Sequence, residues 1–302
     1  VRRLRVGTRG SRLALIQAQA VCALLQGAFP ETEVEVVPIK TQGDLMPHRL
    51  LKEMGGRGVF VKEIERALLA GEVDLAVHSA KDMPSSTSEG LEIALVPRRE
   101  DPRDCLACGG PLSSVWDLPP MARVGSSSPR RRVQLLGLRG DLQVLPVRGN
   151  VDRRLGKMRE GQFDALLLGA AGLRRLGLVG EISYAFDVDE MVPAPGQGTL
   201  VVQCRAEDEG LLSALRPLSH RDSFDSLMAE RAFQASFGGG CHAPMGVFCR
   251  FEGEEFEILA FASDEEGSQV LRERVRGKRG EEVEVARELG RAFGERLGHV
   301  RS

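Results

Sequence analysis

Cys241 lies in the stretch GGGCHAP, behind Gly238, Gly239 and Gly240. Three glycines remove steric cover from the backbone around it, and thiolate reactivity depends on such access. The cysteine therefore reads as a point where something bulky is brought close, with an idle thiol on a surface turn as the competing reading. The other cysteines carry less. Cys22 falls on an apolar helical face and Cys204 and Cys249 in strand-like runs, the places of buried, inert thiols. Cys105 and Cys108 form a C-x-x-C, but no second pair follows at zinc-ribbon spacing and His is scarce nearby, so no metal site is expected.

Lys81 and Asp82 end the run VDLAVHSAKD. A carboxylate at the end of a strand among many cations is ionised and can hold a cationic intermediate or move protons. A structural salt bridge with Lys81 is the alternative, and His78 reads as a packed strand histidine. Arginines recur at equivalent turns: Arg9, the triplet Arg130, Arg131 and Arg132 in GSSSPRRR, Arg148, Arg154, and Arg174 or Arg175. Cations on the first turn of a helix oppose its dipole. The triplet thus calls for an anionic ligand, with a solvated basic face as the other possibility. Arginine suits bidentate capture of carboxylate or phosphate, and the pattern does not separate the two. No G-x-S-x-G, Walker loop or G-x-G-x-x-G occurs, which removes the usual support for hydrolase, NTPase and dinucleotide readings.

The elements that must hold these residues come in two similar sets. RVGTRGSRLALIQAQAV from Arg5 and RVGSSSPRRRVQLLG from Arg123 each run from a short strand through Gly-Thr or Gly-Ser into a helix capped by Ser. Alternating strands follow, EVEVVPIK from Glu33 and DLQVLPVRG from Asp141, then a helix and a second apolar strand, EVDLAVHSAKD and QFDALLLGAAGL. Alternation of strands and helices predicts α/β domains with largely parallel sheets, whose ligands sit at the carboxyl ends of the strands. The junctions PRREDPRD and VPAPGQG read as hinges, and TLVVQCR after the second can return to the first half. The predicted division is residues 1–97 with 197–216, residues 103–192, and residues 217–302 as a small α+β domain. That third domain carries Cys241, a helix around Ser226 to Phe237 and a last helix from Glu281 to Leu297. The segment from Thr41 to Gly58 lacks a period and reads as a lid, a binding loop or disorder.

With 302 residues the chain exceeds one ordinary core. A net charge of −2 and few aromatic residues speak against nucleic acid, despite PRRR and VDRRL. Only six of the 41 basic residues are lysine, an arginine bias read as compositional wherever it does not cluster. No run approaches a membrane span, and the opening VRRLRVGTRG is unlike a secretory signal, so no membrane partner and a cytoplasmic location are expected.

Together GSSSPRRR, VRGNVDRRL, AVHSAKDMP, GGRGVFVKEIERALL, AAGLRRLGL, PAPGQG and FGGGCHAPMG resemble the porphobilinogen deaminase (hydroxymethylbilane synthase) family, in the right order over nearly the whole chain. The resemblance implies two similar domains like those of type II periplasmic binding proteins, plus a small third domain. It implies a dipyrromethane cofactor joined to Cys241 by a thioether, as the primer on which four porphobilinogen units are deaminated and joined head to tail into hydroxymethylbilane. Asp82 matches the catalytic aspartate. Arg9, Ser11, Ser79, Lys81, Ser126, Ser127, Ser128, Arg130, Arg131, Arg148, Arg154, Arg175 and Gln197 fall at positions expected to bind cofactor or substrate, whose acetate and propionate groups suit charge-assisted pairs. Arg132 and Arg174 match no functional position and are expected to be solvated. A monomer is expected. Arg57, Gln42 and His242 depart from the family's usual residues. The rival reading is a non-catalytic anion- or solute-binding protein of the periplasmic type, which needs neither Cys241 nor Asp82.

Overall fold

A computed structural model describes residues 3–40, 61–239 and 243–299. Strand β1 (Arg3–Arg9) runs into α1 (Arg12–Ala28), where the Ser11 hydroxyl accepts the Ala14 N–H and caps the helix. β2 (Glu33–Ile39), α2 (Lys62–Leu69), β3 (Leu75–Ser79) and β4 (Leu91–Leu95) complete the first set. The second set is β5 (Asp104–Ala107), β6 (Arg123–Gly125), α3 (Pro129–Leu138), β7 (Gln143–Leu145), α4 (Val151–Arg159), β8 (Ala165–Gly169), α5 (Ala170–Arg175) and β9 (Tyr184–Ala185). β10 (Leu200–Arg205), α6 (Glu209–Leu215), α7 (Arg221–Phe237), β11 (Met245–Glu252), β12 (Glu255–Ser263), β13 (Val270–Lys278) and α8 (Glu282–Arg296) follow.

The first two sheets have one plan. Their orders are β2-β1-β3-β10-β4 and β7-β6-β8-β5-β9, each with three parallel strands and then an antiparallel strand in fourth place. That fourth strand is in each case the first one after the chain has crossed between domains: β5 after residues 96–103, β10 after residues 192–199. This is the paired, type II periplasmic-binding-protein-like arrangement, and TLVVQCR does lie in the first sheet. The strand from Asp141 is shorter than its sequence suggests, because only Gln143–Leu145 pairs with β6.

Aliphatic side chains dominate the first two cores, with Phe186 and Phe163 added in the second. Val6, Leu75, Val77 and Val202 pack under Val21 and Leu25 of α1 and Leu211 of α6; Val124, Leu106 and Leu167 pack under Leu135 of α3. The third domain is the antiparallel sheet β11-β12-β13, with Phe256 and Ile258 covered by Phe233 and Phe237 of α7 and Phe293 of α8. Its other face sets Phe248, Leu259 and Phe261 against Val133 of α3 and Val192, while Leu227 of α7 reaches Ala80, Met83 and Val201 of the first domain. The third domain thus touches both others. α7 starts at Arg221, five residues before the helix read from sequence, because the His220 ring caps it by accepting the Ser223 N–H at 3.3 Å. Histidine is not among the usual cap residues, so that start carried no sequence sign.

The two crossings lie side by side. The Glu100 N–H donates to the Gly198 carbonyl at 3.1 Å. Gly198 has φ +86°, and a Cβ there would sit 2.4 Å from the Glu100 oxygen, so a side chain is excluded on both counts. The expected lid or loop at Thr41 to Gly58, with Gln42 and Arg57, lies outside the described residues.

Candidate active site

An open pocket lies at the carboxyl ends of β1 and β3, lined by Arg9, Ser11, Gln17, His78, Ser79 and Asp82 among others. Ser79 ends β3, and its hydroxyl donates to the Gln17 amide oxygen at 3.2 Å. Lys81 and Asp82 follow on a single 3-10 turn, Ala80–Asp82. Among the described residues the Asp82 carboxylate makes no hydrogen bond or ion pair, so the salt bridge with Lys81 considered above is not formed. A half-exposed carboxylate in a pocket, without a partner among the described residues, is placed to meet N–H groups or positive charge from a ligand. Burial pushes the Lys81 amine down, with Arg131 and Arg130 adding to the shift against Asp82 and Asp104. Burial also holds His78 neutral, lowering it to about 4 despite the opposing Gln203 and Asp82.

The second domain brings its arginines to the same region from α3. Ser128 caps the helix by accepting the Arg131 N–H. Arg130 and Arg131 are 4 % and 8 % exposed. Two of the triplet's cations have an internal reason for their place: Asp104, fully buried, lies between them, accepting from Arg130 at 2.6 Å and from Arg131 Nε at 2.8 Å. An external anion is therefore not required to explain the pair, which corrects the argument from the helix dipole. Gln197 likewise spends its amide on protein: Nε2 donates to the Pro102 carbonyl and to Asp104, and Oε1 accepts from Arg130. Burial would raise the Asp104 carboxyl, but Arg130 and Arg131 with their hydrogen bonds hold it at about 2.

The remaining expected residues divide. Ser127 exchanges hydrogen bonds with both backbone groups of Val147 and so fixes the turn that carries Arg148; the Ser126 hydroxyl accepts the Ser128 N–H. Arg154 is half-buried, donates to the Gly149 carbonyl and has its pKa lowered by burial and then by Arg131, which sets it beside the same cluster. Arg175 donates to the Gly198 carbonyl at 2.6 Å and so faces the second crossing. Arg174 is not simply solvated, since it pairs with Asp101 at 3.3 Å; Arg132 is exposed. Cys241 and His242 lie outside the described residues. Cys105 is buried in β5, its thiol pushed up to about 12 by burial. Sequence reasoning missed Asp104 and Gln17: the one is a single acid in a charged junction, the other a polar position on an apolar helix.

Lys81 feels the charges of Asp82, Asp104 and Arg131, Arg154 lies beside Arg131, and Arg9 lines the same pocket as Asp82. This donor set fits a dipyrromethane, which offers several carboxylates for the cations and pyrrole N–H groups for Asp82. The sequence profile described as "Porphobilinogen deaminase, dipyromethane cofactor binding domain" matches residues 4–213, and that of the "Porphobilinogen deaminase, C-terminal domain" matches residues 224–298. The chain belongs to the porphobilinogen deaminase family. A porphobilinogen deaminase of Syntrophus aciditrophicus is 43 % identical over 97 % of this chain and 94 % of its own length; one of a Roseiflexus species is 48 % identical over 88 % and 87 %. Among solved structures, the methionine-binding protein MetQ aligns over 78 % of this chain and 94 % of its own at 11 % identity and a TM-score of 0.45. A double-mutant Bordetella pertussis BvgS VFT2 domain aligns over 76 % and 92 % at 17 % identity and 0.43. Both parts of the family's profile lie in order along this chain, the second covering the α7 to α8 domain.

Proposed function

We propose that this chain is a hydroxymethylbilane synthase that deaminates four porphobilinogen molecules and condenses them head to tail, from a dipyrromethane primer held as a thioether on Cys241. The observation that carries the reading is Asp82, a carboxylate without a partner among the described residues, in a pocket beside buried cations. When bound, the primer would supply the free pyrrole carbon to which the first unit is joined with loss of ammonia, each later unit would join the ring added before it, and hydrolysis would free the four-ring chain from the primer. The chain's own residues do the rest. Asp82 sits under pyrrole N–H groups, assists loss of ammonia and stabilises the positive charge that develops. Lys81, Arg131 and Arg154 hold ring carboxylates with Arg9, Arg148 and Arg175, and Arg130 and Gln197 support Arg131 through Asp104. Ser11, Ser79, Ser126, Ser127 and Ser128 shape the turns from which these side chains project.

The domain limits we assign are residues 1–97 with 197–216, 103–192 and 217–302. A monomer working in the cytoplasm accords with this reading, and among the described residues no helix is long and apolar enough to cross a membrane. The deciding experiment is the intact mass of the denatured protein before and after incubation with porphobilinogen, followed by peptide mapping. A two-pyrrole increment on Cys241 is expected; no adduct in either state would overturn the proposal in favour of a non-catalytic anion-binding protein.

A further inference from the structure

Asp104 is the first residue of β5, directly after the first crossing, and its carboxylate is fully engaged. Oδ2 accepts from Arg130 at 2.6 Å, and Oδ1 accepts from Arg131 Nε at 2.8 Å and from Gln197 Nε2, in the second crossing, at 2.9 Å. Arg131 is further steadied by the Leu167 carbonyl at 3.2 Å, and a Cβ at Gly169 would come within 3.3 Å of its terminal nitrogen. Two adjacent buried guanidinium groups repel one another and keep other cations away; Lys81 and Arg154 both feel the charge of Arg131. One fixed anion between them makes the group tolerable and sets its geometry, while leaving an excess of positive charge for an incoming carboxylate.

We infer that Asp104 is a positioning residue for cofactor capture: a built-in counter-ion, anchored in the hinge, that holds Arg130 and Arg131 side by side before any ligand carboxylate arrives. It acts through the arginines and does not touch the reacting atoms. The inference rests on the proposed reading of the site. Removing the charge lets the pair splay and slows capture of the ring carboxylates from which the two-pyrrole adduct is built on the apoprotein.

The test compares full-length apoprotein of wild type, Asp104→Asn, Asp104→Glu and Leu289→Ala, the last a core truncation in the third domain that lowers the melting midpoint away from the cleft. Each is incubated with porphobilinogen, and growth of the covalent two-pyrrole mass increment is followed with time alongside thermal melting. We expect Asp104→Asn to load at least tenfold more slowly than Leu289→Ala at matched stability, with Asp104→Glu between Asp104→Asn and wild type. Loading of Asp104→Asn at the rate of the destabilised control would reduce Asp104 to a structural residue and overturn the inference. Should Asp104→Asn not fold, Asp104→Glu decides: slower loading than Leu289→Ala supports positioning, and wild-type loading overturns it. If wild type itself gains no pyrrole mass, it is the porphobilinogen reading that fails.

Discussion

Arg99 and Glu230 form a two-pronged ion pair, with nitrogen to oxygen distances of 2.6 and 3.2 Å, although they stand in the first crossing and in the middle of α7. Glu230 is fully buried, and it also accepts the Gly196 N–H at 2.6 Å and the Cys249 N–H at 2.9 Å. Arg99 Nε donates to the Gln197 carbonyl at 2.8 Å. One carboxylate thereby fastens the third domain to both crossing segments. Glu230→Gln leaves a buried guanidinium without its counter-ion, a change that costs about 3–5 kcal/mol. Urea unfolding should show a matching drop in midpoint, and a midpoint equal to wild type would mean that solvent or another acid replaces Glu230.

Asp82→Asn keeps the shape of the side chain and loses its charge. The variant is expected to carry the two-pyrrole increment yet turn over roughly 100-fold or more slowly, the scale of a lost proton-transfer or charge-stabilising group. Steady-state product formation checks this, and a near-native rate would take Asp82 out of the chemistry.

For Cys241→Ala, the melting midpoint should stay near that of wild-type apoprotein while no adduct appears at any time of incubation. Mass spectrometry and a turnover assay on the same sample give the answer. Normal turnover by this variant would sink the tether.

His78 supplies a pH signature. Its folded value of about 4 lies below the usual 6.5, so between those values the unfolded chain binds a proton that the native protein does not. The His78 contribution to stability is complete above pH 6.5 and is lost as pH falls toward 4, by up to about 3 kcal/mol. In His78→Gln the fall in unfolding free energy across that window should be smaller by this amount. Parallel pH profiles for the two proteins would show that the imidazole is solvated in the native state.

The legible parts of this molecule were those written in local pattern. The Gly-Thr and Gly-Ser turns feeding Ser11 and Ser128 caps can be read from a few residues, and the repeat of that pattern gave away two matching sheets. Because strand ends define the mouth of such domains, the placement of Arg9, Ser79, Lys81 and Asp82 near it followed from the same pattern. Asp104 and Glu230 could not be read in this way. Each is a single acid whose partners lie far off in sequence, Arg130 for the one and Arg99 for the other, and no spacing rule joins them. For the same reason the arginine triplet reads in sequence as a surplus of positive charge, since the compensating carboxylate, Asp104, stands next to the first crossing. His220 as a helix cap was hidden for a different reason, a residue type used outside its common role.

The return of β10 to the first sheet bears on how the chain assembles as it is made. The second domain runs without a break from β5 to β9, and once residue 185 has left the ribosome it holds every strand of its own sheet. The first domain has no such independence. β3 and β4 are not neighbours and are joined only through Leu200–Arg205, so the segment synthesised first is the one that must wait longest for closure. During that interval the edges of β3 and β4 stand open to pairing with other chains, and folding of the amino-terminal half is set by the arrival of a strand from the far side of its neighbour.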